Sequence, residues 1–477
     1  MAGFVILAIL AAFLAVVLIR TAQFKPKAQP AISTEEVTFD KDAAVRNLAE
    51  LVRCKTISYS DSSLEDDAEF EKLIAKLPGL YPNVFKTCEF SQFPDRALLF
   101  RWPGKCAGDA AVMMAHYDVV PVNEENWEKP PFDAIIENGV MWGRGTLDTK
   151  ATFNGVLFAA DHLIASGFVP EHDVYFAFSG GEEVNGKGAP NIVSYFKEHN
   201  IQLSMVVDEG GAVVENVFPG VKAPCGLIGI AEKGMINAQY RTRSAGGHAS
   251  APKPHTPVGI LAKACTKVEG HPFKMHLTKP VAEMFDTLGR HSTFLYRMIF
   301  ANLWCFGWVI DLLGKKSGGE MNALVRTTTA FTQMEGSNAR NVIPAEAHLV
   351  SNIRLSPADS VADAVAYLKK VVADDSVEMT VLESHEPSPV SETDCDSYYK
   401  VADSVAETWR GCVVTPYLMV QCSDSRHYRD ISRNVYKFSA MDLTSEERKT
   451  IHGNNERIRL ETIEKSVEFY IRLLGKC

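Results

Sequence analysis

The sequence predicts an α/β fold built on a doubly wound, mixed sheet, and three observations predict it. Short runs of strand length, apolar but for Asp173, Ser179 and Ser204, stand at 110–115, 173–179 and 203–207. Between them lie segments whose apolar residues recur at helical spacing. Each run also stops abruptly at polar residues: His116, the Gly180-Gly181-Glu182-Glu183 turn, and Asp208. Apolar runs without polar alternation are strands covered on both faces, and alternation of such strands with helices points to a parallel or mixed sheet.

Residues 3–19 form an uninterrupted apolar stretch, closed by Arg20, Lys25 and Lys27. About 17 to 20 helical residues cross a bilayer core of ~30 Å. No basic residue precedes the stretch and no small-residue cleavage site follows it, so it reads as an uncleaved single-pass anchor in preference to a cleaved signal. The basic residues after it favour a cytoplasmic C-terminal side. Both a membrane-anchored and a secreted protein are consistent with this segment, and the side of the membrane stays open. Residues 1–22 are taken as anchor or signal segment and 23–39, with Pro26 and Pro30, as a tether.

From Asp40 a helix is expected, with Ala43, Val45, Leu48, Leu51 and Val52 apolar. A second is expected over 149–166, carrying Phe153, Val156, Leu157, Ala160, Leu163 and Ile164 on one side, and a third over 190–199. After Gly234 the pattern changes to period two at 235–243, 325–331 and 348–355, with a helix at 359–373. This predicts a smaller α+β domain over 233–385, inserted between the halves 40–232 and 386–477 of the first domain. Helices at 397–409 and 461–474 complete the second half. The stretch 294–313 is rich in Phe and Trp but interrupted by Arg297, Asn302, Gly307 and Asp311, which predicts a buried or groove-lining helix and not a second span.

The formal charge of −10 and the lack of a basic run argue against nucleic acid as a partner. Ten cysteines contain no CxxC pair, which excludes zinc ribbons and thioredoxin-like sites; they read mainly as buried thiols. The ligand-type residues are more informative. His116 ends one apolar run, and Asp118, two residues on, faces the same way and can orient its ring. Asp148 lies in the turn GRGTLDTK before a helix, Glu182 and Glu183 follow two glycines, Asp208 opens DEGG, and His452 sits in IHGNNER. Taken singly, each has an ordinary structural explanation. Together they gather where open α/β sheets bind ligands, outside the carboxyl ends of the strands. Histidines with carboxylates and no cysteine suit zinc or another divalent ion.

The spans HYDVVP, GRGTLDTK, SGGEE, VDEGG, GGHASAP, NVIPAEA, SDSRHY and IHGNNER occur in an order that resembles the two-zinc peptidase family of aminoacylase, carboxypeptidase S and glutamate carboxypeptidase. The branch most resembled is that of N-fatty-acyl-amino-acid synthase/hydrolases. The resemblance implies a zinc-peptidase catalytic domain with an inserted lid or dimerisation domain, and two Zn²⁺ per subunit. It implies that Asp148 bridges the ions, with His116 and Asp208 on one and Glu183 and His452 on the other. Glu182 is then the general base acting on a metal-bridged hydroxide, Asp118 the buttress of His116, and His248 of the Gly246-Gly247-His248 turn an oxyanion donor. Asn341, Arg354 and Arg426 become candidates for holding a substrate carboxylate. The expected substrate is a small N-acyl amino acid, with an apolar acyl chain, whose amide bond is cut or, in reverse, formed. A carboxypeptidase acting on small peptides is the alternative within enzymes, and an inactive membrane-tethered binding protein the alternative outside them. A homodimer through the insertion, or a monomer whose insertion covers its own site, both fit this reading.

Overall fold

The structure, a computed structural model, describes residues 1–27, 32–216 and 218–477. Part of the expected tether, residues 28–31, therefore lies outside the described residues. The central sheet has eight strands in the spatial order Glu89–Phe93, Ala97–Trp102, Val174–Ser179, Ala110–His116, Leu203–Val214, Val435–Leu443, Cys225–Glu232 and Val413–Met419. Ala110–His116 runs parallel to both neighbours, whereas Ala97–Trp102 and Cys225–Glu232 enter antiparallel to theirs on the inner side, so the sheet is mixed.

Period-two alternation puts each strand's residues into two cores. Phe100, Met113, Phe176 and Phe178 face one side, where helices Lys41–Val52, Lys150–Ala165 and Leu460–Leu474 pack. Leu99, Val112, Tyr175 and Ala177 face the other, against Ile192, Val193 and Phe196 of helix Gly188–Glu198. Lys41–Val52 starts where Asp40 accepts a hydrogen bond from the Ala43 N–H, an N-cap that satisfies one of the free donors of the first turn. The expected doubly wound α/β class is what the chain adopts.

A second, four-stranded antiparallel sheet has the order Thr328–Glu335, Glu346–Leu355, Gly234–Arg243, Glu378–His385. Helices Pro257–Gly270 and Val361–Val372 cover one of its faces around Leu261, Leu349 and Leu368.

Three local expectations need correction. The strand expected to stop at Asp208 continues to Val214, because Gly210 and Gly211 let neighbouring chain approach closely. A Cβ on Gly211 would lie 1.8 Å from the Leu227 carbonyl oxygen, and Gly210 has φ +143°. Residue Val325 closes a helix, Gly319–Val325, and the strand expected from it begins at Thr328. Residues 294–313 form not one buried or groove-lining helix but two, Phe294–Ala301 and Leu303–Ser317, set at 112° about Asn302, with Phe300 and Ile310 buried and Phe294, Leu295, Trp304, Trp308, Leu312 and Leu313 exposed. At the N-terminus, Ala2–Gln23 is an apolar helix of 22 residues, about 33 Å long at ~1.5 Å per residue.

Candidate active site

Four strand ends and two loops converge on one cavity of about 780 Å³. His116 closes its strand with the ring almost fully buried. Its Nδ1 lies 3.0 Å from the Asp118 carbonyl oxygen and 3.3 Å from the Asp118 carboxylate, which directs Nε2 into the cavity. There Nε2 lies 2.9 Å from Asp148 Oδ1 and 3.4 Å from Glu209 Oε1. The other Asp148 oxygen, Oδ2, is 3.1 Å from His452 Nε2, which is also 3.0 Å from Glu183 Oε2. The Asp148 carboxylate thus stands between the two imidazoles with one oxygen toward each. Glu182 completes a second close group with His116 and Glu209, their ligand atoms all within 4.8 Å of one another.

Asp118 has a wider task than orienting His116. Its carboxylate accepts the backbone N–H groups of Glu182 (3.1 Å) and Glu183 (3.2 Å) and the Ser58 hydroxyl (2.6 Å). One buried acid therefore fixes the histidine and the paired glutamates relative to each other.

Sequence reasoning passed over two residues. The first is Glu209. The structure sets Glu209, and not the expected Asp208, against His116. Adjacent residues of a strand point to opposite faces, and because the strand runs on past this point, Asp208 turns away and accepts from the Ser425 N–H at 2.9 Å. The DEGG run offered both acids, but with the strand taken to stop at Asp208 there was no alternation to choose between them. The second is Glu456, fully buried. It accepts from the N–H groups of Gly145 (3.1 Å), Leu147 (2.7 Å) and Asp148 (3.3 Å) and pairs with Arg144 at 2.5 Å. Arg144 in turn donates to the Gly453 carbonyl at 2.7 Å. This buried pair ties the Asp148 turn to the His452 loop; the sequence hints at it only through Glu456 standing four residues after His452.

Of the expected carboxylate binders, Arg426 and Arg354 flank the cavity wall. Arg426 donates to the Ser423 carbonyl at 2.8 Å and to Asn185 Oδ1 at 2.9 Å. Arg354 Nη1 lies 3.2 Å from the thiol of Cys422, a residue of the cavity lining. His248 and Asn341 are not brought to the cavity. Both are exposed on a small ribbon in which His248 pairs with Val342, and the His248 ring lies 2.8 Å from the Ser250 hydroxyl.

The electrostatics follow from crowding. Burial, together with Asp424, Glu209 and Glu183, pushes the Glu182 carboxyl far above its usual range, with His116 opposing. Burial and nearby Asp148 push Glu209 up to about 8, again against His116. Hydrogen bonds to Asp148 and Glu183 raise His452 to about 10. Burial lowers the His116 pKa, but Glu209, Asp118 and Asp148 outweigh it and raise it well above an ordinary imidazole. Among the described residues, no lysine or arginine pairs with Asp148, Glu182, Glu183 or Glu209; their close partners are the two imidazoles. Buried negative charge of this density requires compensation. Two histidines with carboxylate oxygens are a donor set that fits divalent metal ions of the zinc type.

Beyond these acids the cavity lining includes the apolar Val214, Leu227, Val420, Met441 and Leu443, and with them a polar group in which the Tyr417 hydroxyl donates to Glu320, itself 3.5 Å from Arg448. A cleft of similar size, about 770 Å³, lies by Asp109 and Leu203 at the opposite ends of two of the same strands; it is lined by Lys197, Arg429 and Arg433 and has no histidine.

Residues 112–476 match the model of peptidase family M20/M25/M40. A probable carboxypeptidase S-like 2 of Dictyostelium discoideum is 34% identical over 438 residues, covering 90% of this chain and 84% of the relative. An N-fatty-acyl-amino acid synthase/hydrolase of Xenopus tropicalis is 34% identical over 478 residues, covering 98% and 93%. Among solved structures, an M20 family metallo-carboxypeptidase from Sulfolobus solfataricus superposes with a TM-score of 0.67 at 17% identity, covering 92% of this chain and 99% of that one. A dinuclear metal binding peptidase of that family from Bacillus subtilis superposes with a TM-score of 0.55 at 12% identity, covering 91% and 98%. The expected hydrolase class is therefore met, and a metal cofactor goes with it. The histidines and acids converge within the matched span, and the chain belongs to peptidase family M20/M25/M40.

Proposed function

We propose that this protein hydrolyses the amide bond of N-fatty-acyl amino acids, using two zinc ions held on either side of Asp148. The observation that carries the reading is a cavity that joins the crowded acids and imidazoles to the apolar side chains of Val214, Leu227, Val420, Met441 and Leu443. The likeness to the Xenopus synthase/hydrolase supports the same substrate class. In this reading His116 and Glu209 complete one metal site, and Glu183 and His452 the other. Bound there, the ions supply positive charge that acidifies a water and polarises the scissile carbonyl.

The rest is the work of side chains. Glu182, whose surroundings raise its affinity for a proton, takes one from the attacking water and returns it to the leaving amine nitrogen. Asp118 keeps Glu182 in reach through the backbone bond at 3.1 Å. Arg426 and Arg354 hold the free carboxylate of the amino acid, since guanidinium forks match carboxylates, and the acyl chain lies along the apolar lining. His248 and Asn341, on their exposed ribbon, serve the site only if the ribbon closes over it or a second subunit supplies it.

The likeness to the carboxypeptidase S-like relative favours a second reading, cleavage of small peptides. The test is to strip the purified enzyme of metal, restore zinc, and follow amino-acid release by mass spectrometry from N-oleoyl-phenylalanine, N-acetyl amino acids and dipeptides, with Glu182→Gln as control. Zinc-dependent, selective cleavage of the oleoyl compound is the expected result. Preference for dipeptides supports the second reading, and silence across the panel with metal bound rejects both.

A further inference from the structure

Helices Phe294–Ala301 and Leu303–Ser317 present an outward apolar face that the hydrolytic reading does not use. Trp304, Trp308 and Leu312 recur every fourth residue, so they share one side of their helix; their exposures are 59%, 65% and 56%. Phe294 and Leu295, at the start of the neighbouring helix, are also exposed, at 61% and 62%. Apolar side chains of this size are common singly on a surface, but a contiguous patch marks an interaction site.

The inward sides of the same helices are anchored. Phe300 packs on Phe218 and Phe285 with ring centroids 4.6 and 5.2 Å away. Asp311 pairs at 2.6 Å with Arg326, which is almost wholly buried and also donates to the Phe273 carbonyl. The outward face is thus held in place by the fold.

The patch is continuous with the N-terminal helix. At the break between the two helices the buried Asn302 amide donates to the Val17 carbonyl and the Thr21 hydroxyl, both at 3.2 Å. Arg20 donates to the Ala301 carbonyl at 3.2 Å, and the Phe13 and Trp304 rings meet edge-on at 5.7 Å. Beyond these contacts, residues 2–12 of the N-terminal helix project with their apolar side chains exposed. Trp304 thus meets the N-terminal helix near its middle, at Phe13, while Arg20 and Thr21 near its end bond to the break between the two helices; tryptophan is enriched where membrane proteins cross the membrane–water interface.

The pair also leads to the cavity. Leu303–Ser317 runs through Gly318 into Gly319–Val325, whose Gly319, Glu320 and Ala323 line the cavity, with Glu320 accepting from the Tyr417 hydroxyl at 2.9 Å.

We propose that the N-terminal helix is retained as an anchor and that the pair 294–317 lies in the interfacial layer of the same bilayer, so that an acyl chain passes from lipid onto the apolar lining of the cavity. The substrate part of this proposal rests on the N-fatty-acyl reading above; the bilayer placement does not.

The test uses the full chain reconstituted in phosphatidylcholine vesicles whose acyl chains are either plain or brominated. Bromine quenches tryptophan only at contact range. Part of the emission is expected to be quenched in wild type, and that quenching to vanish in Trp304→Phe/Trp308→Phe. Equal quenching in wild type and double variant, or none in wild type, overturns the placement. A second arm uses Trp308→Glu/Leu312→Glu, because charges are strongly disfavoured in hydrocarbon. Turnover of N-oleoyl-phenylalanine carried in the vesicles should fall about tenfold, with N-acetyl-phenylalanine turnover in water unchanged. An equal fall for both, or no fall for either, overturns the delivery route. If neither compound is cleaved by wild type, the hydrolytic reading and the delivery route fail together, and the quenching still decides the placement.

Discussion

Two parts of the cavity follow opposite rules. At one end four carboxylates and two imidazoles are crowded together, and two further acids, Asp118 and Glu456, both buried, fix the segments that carry them. Asp118 holds Glu182 and Glu183; Glu456 holds the Asp148 turn. Elsewhere in the same cavity Val214, Leu227, Met441 and Leu443 offer apolar area beside the Tyr417–Glu320 hydrogen bond. Charge crowding is costly and directional, so the first part tolerates little change. Apolar area is additive and shape-tolerant, so the second should change its preference gradually. In the function proposed here, the difference assigns reaction type to the acids and substrate choice to the apolar lining.

The comparison can be broken most severely at Glu182. Glu182→Gln keeps the shape and removes the proton carrier, so kcat should fall by about 10²–10⁴-fold while metal content, read by elemental analysis, stays near wild type. Loss of metal in this variant would mean that Glu182 is a ligand. Next comes Glu456→Ala, which leaves Arg144 buried without its partner and frees three backbone donors. It should lower stability by about 3–5 kcal/mol in denaturant titration; a wild-type unfolding midpoint would mean that the turn holds itself.

A paired substitution sharpens the ligand assignment. Glu209→Ala should reduce bound zinc. Asp208→Ala should leave zinc in place and reduce stability by about 1–3 kcal/mol, because the buried Ser425 N–H loses its acceptor. The reverse pattern would restore Asp208 as the ligand. The smallest effect is expected at the apolar lining. Val420→Ala removes two methyl groups from the lining, which should lower kcat/KM for a long-chain substrate by no more than about tenfold and leave an acetyl substrate unaffected. Equal loss for both substrates would place Val420 in the reaction itself.

What the sequence revealed follows the same division. Ligand-type residues stand where apolar runs stop, so His116, Asp148, Glu182, Glu183 and His452 were visible before any coordinates, and so was the α/β class. Choosing between Asp208 and Glu209 needed the knowledge that the strand continues through two glycines, and an apolar run that ends in DEGG reads as a strand that ends there. Glu456 was hidden because its partners lie about 300 residues earlier in the chain, at Arg144 and Leu147. Strand Cys225–Glu232 was missed because Gly226 and Gly229 dilute its apolar pattern, although each is packed against a side chain, Val405 and Lys437, that leaves little room for a Cβ. The aromatic stretch 294–313 misled for a different reason. Apolar composition predicts burial but not in what, and protein interior and lipid leave the same mark on a sequence.

In the proposed function the apolar lining selects an acyl chain for the acids to cut free. The most direct measurement is kcat/KM for N-acyl-phenylalanines with a fixed head group and acyl chains lengthened from acetyl to oleoyl. A rise of up to about fourfold per added methylene, from ~0.8 kcal/mol of burial each, is expected, levelling once the lining is covered. A flat or falling series, with dipeptides cleaved faster than any acyl compound, would contradict it.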